Sequence, residues 1–466
     1  MQLKKKEINK FFIFFLLAHL FIWTLIPSVS NINLPLDTIE ALGWSNNLQL
    51  GYDKYPPIFP LFVELFYLIF GSQDWAYYFL SQIFITISFI IIFKISNNFF
   101  ENKIYSLLSV LLLEGVYFYN FTTPELNAFL CQFPFLSATV FYCWKSIKTN
   151  DSNSWFIFGI FAALAALTYY LSFYLLAAIG LFFIYVIFKE KKFNNKYLIA
   201  LISFIIVISP HFFWIADNNF ISIRYAFFRS FQDPLTEVSN FQFLDHIYYP
   251  LIFLVKQIGL MIPVFIMLFF LLNNFKVKIN FKDKKLMFLF FIAVVPIILM
   301  FLTSLVAGIR IRTMWMTSFY LFIGVFLVYL FEAKINLKKF KNFFLSFVFL
   351  FIFSPILYCV VSYTQIDKRT DYPGKKISLI VQEKWNSNFL NKIEVVAGDG
   401  WVNGGWYAGN LSYHLESRPK LEKKLLYRPN IGTVWIKGFG EIVDCKGVFY
   451  QIEPFNDICM FGQKQK

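Results

Sequence analysis

The chain has 466 residues, of which 58% are hydrophobic and only 15% charged, with a mean hydropathy of +0.58. Soluble domains carry nearer a quarter of charged residues, so lipid is the main solvent here and a large soluble protein is excluded. The net charge of +14 does not signal nucleic acid, because the lysines fall in short clusters between apolar spans, as an orientation signal does.

The first apolar stretch, 11–27, follows Lys4, Lys5, Lys6 and Lys10 and reads as an uncleaved first helix. Ten more spans are expected near 75–93, 104–120, 127–144, 155–170, 171–188, 197–215, 250–272, 286–306, 313–332 and 342–362. Splitting 155–188 into two short spans gives about 11 transmembrane helices and a consistent charge asymmetry. The loops then assigned to the inside hold 21 lysines and arginines, whereas the opposite loops before residue 363 hold Lys54, Arg224, Arg229, Arg310 and Arg312. The stretch 57–70 is too short to cross a membrane and carries Glu64, so it is expected to lie at the surface, opened by Pro56-Pro57 and closed by Gly71.

The fold class expected is therefore mainly α: a polytopic membrane domain over 1–363 with an amphipathic first outer loop at 28–74. A small C-terminal α/β domain follows over 364–466, outside the cytoplasm. Asp367-Lys-Arg-Thr-Asp-Tyr-Pro-Gly-Lys-Lys376 opens it, and the runs Ile393-Glu-Val-Val-Ala397 and Gly432-Thr-Val-Trp-Ile-Lys437 read as strands. Of the five cysteines, Cys445 and Cys459 could pair in an oxidising compartment.

Charge is scarce in the outer loops, so each charged residue there carries information. Asp37 and Glu40 stand one helical turn apart, followed by Trp44. Gly51-Tyr-Asp-Lys-Tyr-Pro-Pro57 then places Asp53 and Lys54 beside a proline-stiffened turn, and Glu125 sits in Thr122-Thr-Pro-Glu125. Arg224 and Arg229 follow the seventh span, and Arg310 and Arg312 precede the tenth. Arginine and lysine can hold a lipid phosphate, and a nearby carboxylate can accept the proton of an attacking hydroxyl. Each charge alone could equally fix a helix end at headgroup depth. Inside the membrane, Glu114 should have a partner or a water-lined cavity, and His19 reads as a packed polar residue.

The ordered series Asp37-x-x-Glu40, Gly51-Tyr-Asp-Lys-Tyr-Pro-Pro57 and Phe70-Gly-Ser-x-Asp-Trp75 continues with Tyr119-Asn-Phe-Thr-x-Pro-Glu-x-Asn127 and Pro210-His-x-x-Trp214, then Tyr225 and Arg229. It resembles the bacterial branch of the protein O-mannosyltransferase superfamily, which includes the aminoarabinose transferases that modify lipid A, over residues 10–335. That resemblance implies the C-type glycosyltransferase fold and a polyprenyl-phosphate sugar as donor. It makes Asp37 the catalytic candidate and sets Asp53 and Lys54 near the carrier phosphate or a divalent metal. Tyr55 stands where relatives often have histidine, and Tyr169 where they often have lysine.

The function expected is transfer of a sugar from polyprenyl phosphate to an envelope glycolipid, polysaccharide or protein, with inversion, in a bacterial inner membrane whose cytoplasmic side holds the N-terminus. Asp37 is assigned as base or acceptor-orienting group, supported by Glu40 and Glu125. Asp53, Lys54, Tyr55, Arg224, Tyr225, Arg229, Arg310 and Arg312 are assigned to substrate. The rival is a lipid-linked sugar flippase, which should show broken mid-membrane helices and two related halves; no such repeat is seen. A scaffold would leave the loop charges without a task.

Overall fold

A computed structural model describes residues 5–231, 243–277, 279–398, 405–422, 428, 430–437, 445–452 and 456–464. The N-terminal helix α1 (Lys5–Ser30) leads into a connection where α2 (Leu36–Ser45) and α3 (Ile58–Phe70) precede α4 (Asp74–Ser96). Then come α5 (Lys103–Leu111), α6 (Ala128–Thr149), α7 (Ser152–Ala166), α8 (Ser172–Glu190), α9 (Tyr197–Asp217) and α10 (Ile221–Phe231). The membrane part closes with α11 (Asp245–Phe269), α12 (Lys284–Ala293), α13 (Val295–Ala307), α14 (Ile323–Leu330) and α15 (Phe340–Thr364).

Four of the helices start where the sequence supplies a cap. Asn102, Asn127, Asp151 and Asp283 each accept from the first free amides of α5, α6, α7 and α12. All eleven expected stretches are helical, but not uniformly. Six helices are long and apolar enough to cross a membrane, or eight if each bent pair is one span. The expected span 104–120 breaks after Leu111 into 3₁₀ turns, and α12 and α13 meet at a 42° bend at Val294. The expected span 313–332 opens as a 3₁₀ run, Thr313–Tyr320, bent 56° from α14. Side chains receive the freed backbone groups there: the Tyr119 hydroxyl donates to Thr317 O (2.8 Å) and the Thr317 hydroxyl to Met314 O (2.5 Å).

The two intramembrane polar residues find each other. His19 Nδ1 lies 2.9 Å from Glu114 Oε1, both side chains sealed from solvent, and Asn120 donates to Glu114 O at 2.8 Å. A hydrogen-bonded pair removes the cost of placing either group in hydrocarbon alone.

The stretch 57–70 forms the expected short helix, α3, which buries Phe59 and Val63 and exposes Leu65, Leu68 and Ile69. Beyond α15, helices α16 (Gly374–Asn388) and α17 (Gly405–His414) cover a five-stranded sheet of order β2-β1-β3-β5-β4. Its strands are β1 (Ile393–Gly398), β2 (Lys420–Glu422), β3 (Gly432–Lys437), β4 (Val448–Ile452) and β5 (Asn456–Phe461). β1 runs parallel to β2 and β3, with α17 as the β1–β2 crossover, and β5 pairs antiparallel with β3 and β4. Cys445 and Cys459 are disulfide-bonded. One apolar cluster runs from Leu34, Ile39, Leu42 and Phe59 of the α1–α4 connection to Trp385, Leu411 and Val434 of the sheet domain. That connection and the C-terminal region therefore share a core, and this core sets the orientation of α2.

Candidate active site

Asp37 occupies the first turn of α2, where the helix dipole favours a negative charge, and Glu40 lies one turn further on the same face. Thr38 fastens that turn to the loop before α6 by donating to Leu126 O at 2.9 Å. Lys54 reaches both carboxylates, with Nζ 3.0 Å from Asp37 Oδ1 and 2.6 Å from Glu40 Oε2. The Glu40 side chain is only 3% exposed and that of Asp37 25%, so Asp37 is the carboxylate a substrate can reach. Burial pushes the Glu40 carboxyl up to about 7; Lys54 opposes this and the Asp37 charge adds to it. Burial works against the Lys54 charge, but Asp37, Tyr55 and Glu40 outweigh it and hold the ammonium well above the ordinary lysine range.

Lys54 is carried by a turn that another motif braces. His211 Nδ1 lies 2.5 Å from Leu50 O, and its Nε2 lies 2.9 Å from the Tyr170 hydroxyl, which meets Ser222 on α10 at 2.8 Å. Trp214 stacks on His211 and crowds Gly51 so closely that a Cβ there would sit 2.4 Å from the indole ring. Only glycine lets the backbone pass at that distance. The Pro-His-x-x-Trp motif thus fixes the Gly-Tyr-Asp-Lys turn.

Tyr55 lies beneath Lys54, 5.2 Å from Nζ to ring centroid, and packs against Trp44 and Tyr169. The two tyrosines that replace basic residues expected from the resemblance therefore form an aromatic floor. On the other side, Tyr225 interacts electrostatically with Lys54, Arg229, Glu40 and Asp37. Arg312 interacts with Arg229, Tyr225, Tyr169 and Arg310. Glu125 is exposed and within electrostatic range of Asp37. Arg224 is exposed and makes none of these contacts. Asp53 is half-buried beside Lys54. Among the described residues no three carboxylate, imidazole or thiol groups converge near Asp53.

Two residues escaped the sequence reading. Arg369, in the polar run after α15, lies within electrostatic range of Glu40 and Glu125, and Arg418 pairs with Glu64 on α3. A charge run at a domain junction carries no signal of which member turns inward.

A carboxylate paired with a lysine over an aromatic floor, with Tyr225 and the Arg229 and Arg312 charges within electrostatic range of one another, suits a hydroxyl and a phosphate. Residues 54–214 match the family model described as dolichyl-phosphate-mannose-protein mannosyltransferase. The whole chain superposes on ArnT from Cupriavidus metallidurans, with a TM-score of 0.60 in the apo state and 0.62 bound to undecaprenyl phosphate. Each match covers 97% of this chain and 98% of that one at 10% identity. The chain shares the fold of ArnT. The resemblance read from the ordered motifs is borne out at the level of the fold, and the small C-terminal sheet expected from the runs at 393–397 and 432–437 is present. No curated protein matches the sequence.

Proposed function

We propose that this chain is an integral membrane glycosyltransferase that moves a hexosyl or pentosyl unit from polyprenyl phosphate to an envelope glycolipid, polysaccharide or protein. The observation that carries this reading is the clasp of Asp37 and Glu40 on Lys54, with Tyr225 within electrostatic range of it and of Arg229. The acceptor hydroxyl attacks the anomeric carbon and gives its proton to Asp37. The bond from that carbon to the phosphate oxygen breaks on the opposite face, so configuration inverts. Lys54 and the arginines take up the charge that gathers on the departing phosphate. Before the donor arrives Lys54 is already neutralised, and a phosphate must draw it away from the carboxylates. Donor binding therefore frees Asp37 to act as a base.

The test is sugar transfer by the purified protein in nanodiscs from a synthetic polyprenyl-phosphate sugar, with product and released polyprenyl phosphate followed by mass spectrometry. Stoichiometric release of both supports the reading. Passage of intact donor across the bilayer without cleavage overturns it in favour of the flippase.

The same reading sets the site and the C-terminal domain outside the cytoplasm of a bacterial inner membrane. Reporter fusions after residues 52, 123 and 380 should all read as external, and a fusion after 192 as cytoplasmic. Opposite sides for 52 and 380 would break the eleven-span arrangement.

A further inference from the structure

Arg418 follows α17 and is held with φ at +47°, a backbone conformation rarely adopted by a residue with a side chain. Its guanidinium enters the outer loop. Nη2 lies 2.9 Å from Glu64 Oε2, 3.0 Å from Leu42 O and 3.3 Å from Ser45 Oγ, and the guanidinium carbon stands 3.2 Å over the Tyr67 ring. Leu42 O is one of the carbonyls left without an amide at the end of α2, so Arg418 caps that helix end and meets the negative end of its dipole. Its own backbone oxygen accepts from Asn46, the residue that closes α2, at 2.5 Å.

Around this contact the two parts interlock. Asn33 donates to Asn410 at 2.9 Å, and the amides of Ile32 and Asn33 donate to Thr370 O. Gly409 of α17 faces Gly43 and Ile39 of α2, and a Cβ at 409 would sit 3.0 Å from Ile39 Cγ2 and 3.1 Å from Ile39 O. Ile39 lies between Asp37 and Glu40. The carboxylates thus sit on a ten-residue helix, and Lys54 sits on a turn braced independently by His211 and Trp214.

We infer that Arg418 is a positioning residue: through Leu42, Ser45 and Glu64 it fixes α2 relative to the Lys54 turn, so that the C-terminal domain sets where Asp37 stands. The inference rests on Asp37 and Glu40 being the acid pair of the transfer site.

The experiment compares full-length wild type, Arg418→Lys, Arg418→Met and Gly409→Ala in nanodiscs, measuring kcat, donor KM and hydrogen exchange of the α2 amides. Arg418→Met should lose about 10- to 100-fold in kcat, the cost of a reacting group held about 1 Å out of place. Its donor KM should stay at the wild-type value, because the phosphate-facing groups are braced elsewhere. Exchange in α2 should quicken while the membrane helices keep their protection. Arg418→Lys should keep the charge and recover part of kcat, and Gly409→Ala should lower kcat with no charge altered. Wild-type kcat in Arg418→Met overturns the inference and leaves the enzyme reading intact. Equal damage to kcat and KM also overturns it, since that marks general loosening. If the wild type transfers no sugar, the enzyme reading fails, and α2 exchange alone decides whether Arg418 holds the helix.

Discussion

Asp37→Asn should lower the rate of sugar transfer about 10²–10⁴-fold, the usual scale of a lost proton acceptor, while the donor still binds. Asparagine keeps the shape of the side chain and one hydrogen-bond acceptor but cannot take a proton. The loss should appear in kcat. Lys54 keeps Glu40 as a partner at 2.6 Å, so the turn should hold its place. Glu40→Gln should cost less, because that carboxyl is sealed away and steadies Lys54 without meeting the acceptor. With a phosphate acceptor, already an anion, Asp37 has no proton to remove and the Asp37→Asn loss should shrink. Measuring both acceptor classes in nanodiscs separates base from charge-balancing group. A fully active Asp37→Asn protein with a hydroxyl acceptor would remove Asp37 from the chemistry.

The second large effect belongs to Lys54. Lys54→Ala deletes one charge-assisted phosphate contact and should weaken donor binding by about 1.5–3 kcal/mol, roughly 10- to 150-fold in Kd. The wild-type site also implies a pH dependence of known sign. The charged groups facing Glu40 are Lys54, Asp37 and Arg369, and its carboxyl titrates near 7. Below that pH Glu40 is neutral and Asp37 alone balances Lys54. Above it a second negative charge competes with the donor phosphate for the same ammonium. Donor affinity should therefore fall as pH rises through about 7, and Glu40→Gln should flatten the profile. Calorimetric titration with the donor on both sides of neutrality provides the check, and constant wild-type affinity across that range would contradict it.

Much of this was readable from the chain because charge is rare in it. Asp37, Glu40 and Lys54 stood out against an apolar background, and helical spacing put the two carboxylates on one face. The surface helix 58–70 was readable from its length and Glu64. What remained hidden was partnership over distance. Glu114 reads as needing a partner and His19 as a packed polar residue, but nothing in a sequence pairs residues 95 positions apart. Hydropathy also could not tell the 3₁₀ run at Thr313–Tyr320 from an ordinary helix, because both are equally apolar. Their difference lies in which side chains receive the freed carbonyls. Arg418 was invisible for the same reason as His19: it sits in an unremarkable Ser-Arg-Pro, and its significance comes from Leu42, Ser45 and Glu64.

The contact between Arg418 and Glu64 spans 354 positions, and a ribosome makes chains in one direction. Glu64 is synthesised early and must wait at the membrane surface while every later helix is threaded and placed. The end of α2 is capped only after residue 418 has been made and the sheet domain has folded. A nascent or truncated chain that stops before residue 418 would carry its acids, its lysine and its spans in an unfinished arrangement. Completion of this end of α2 is thus tied to completion of the polypeptide.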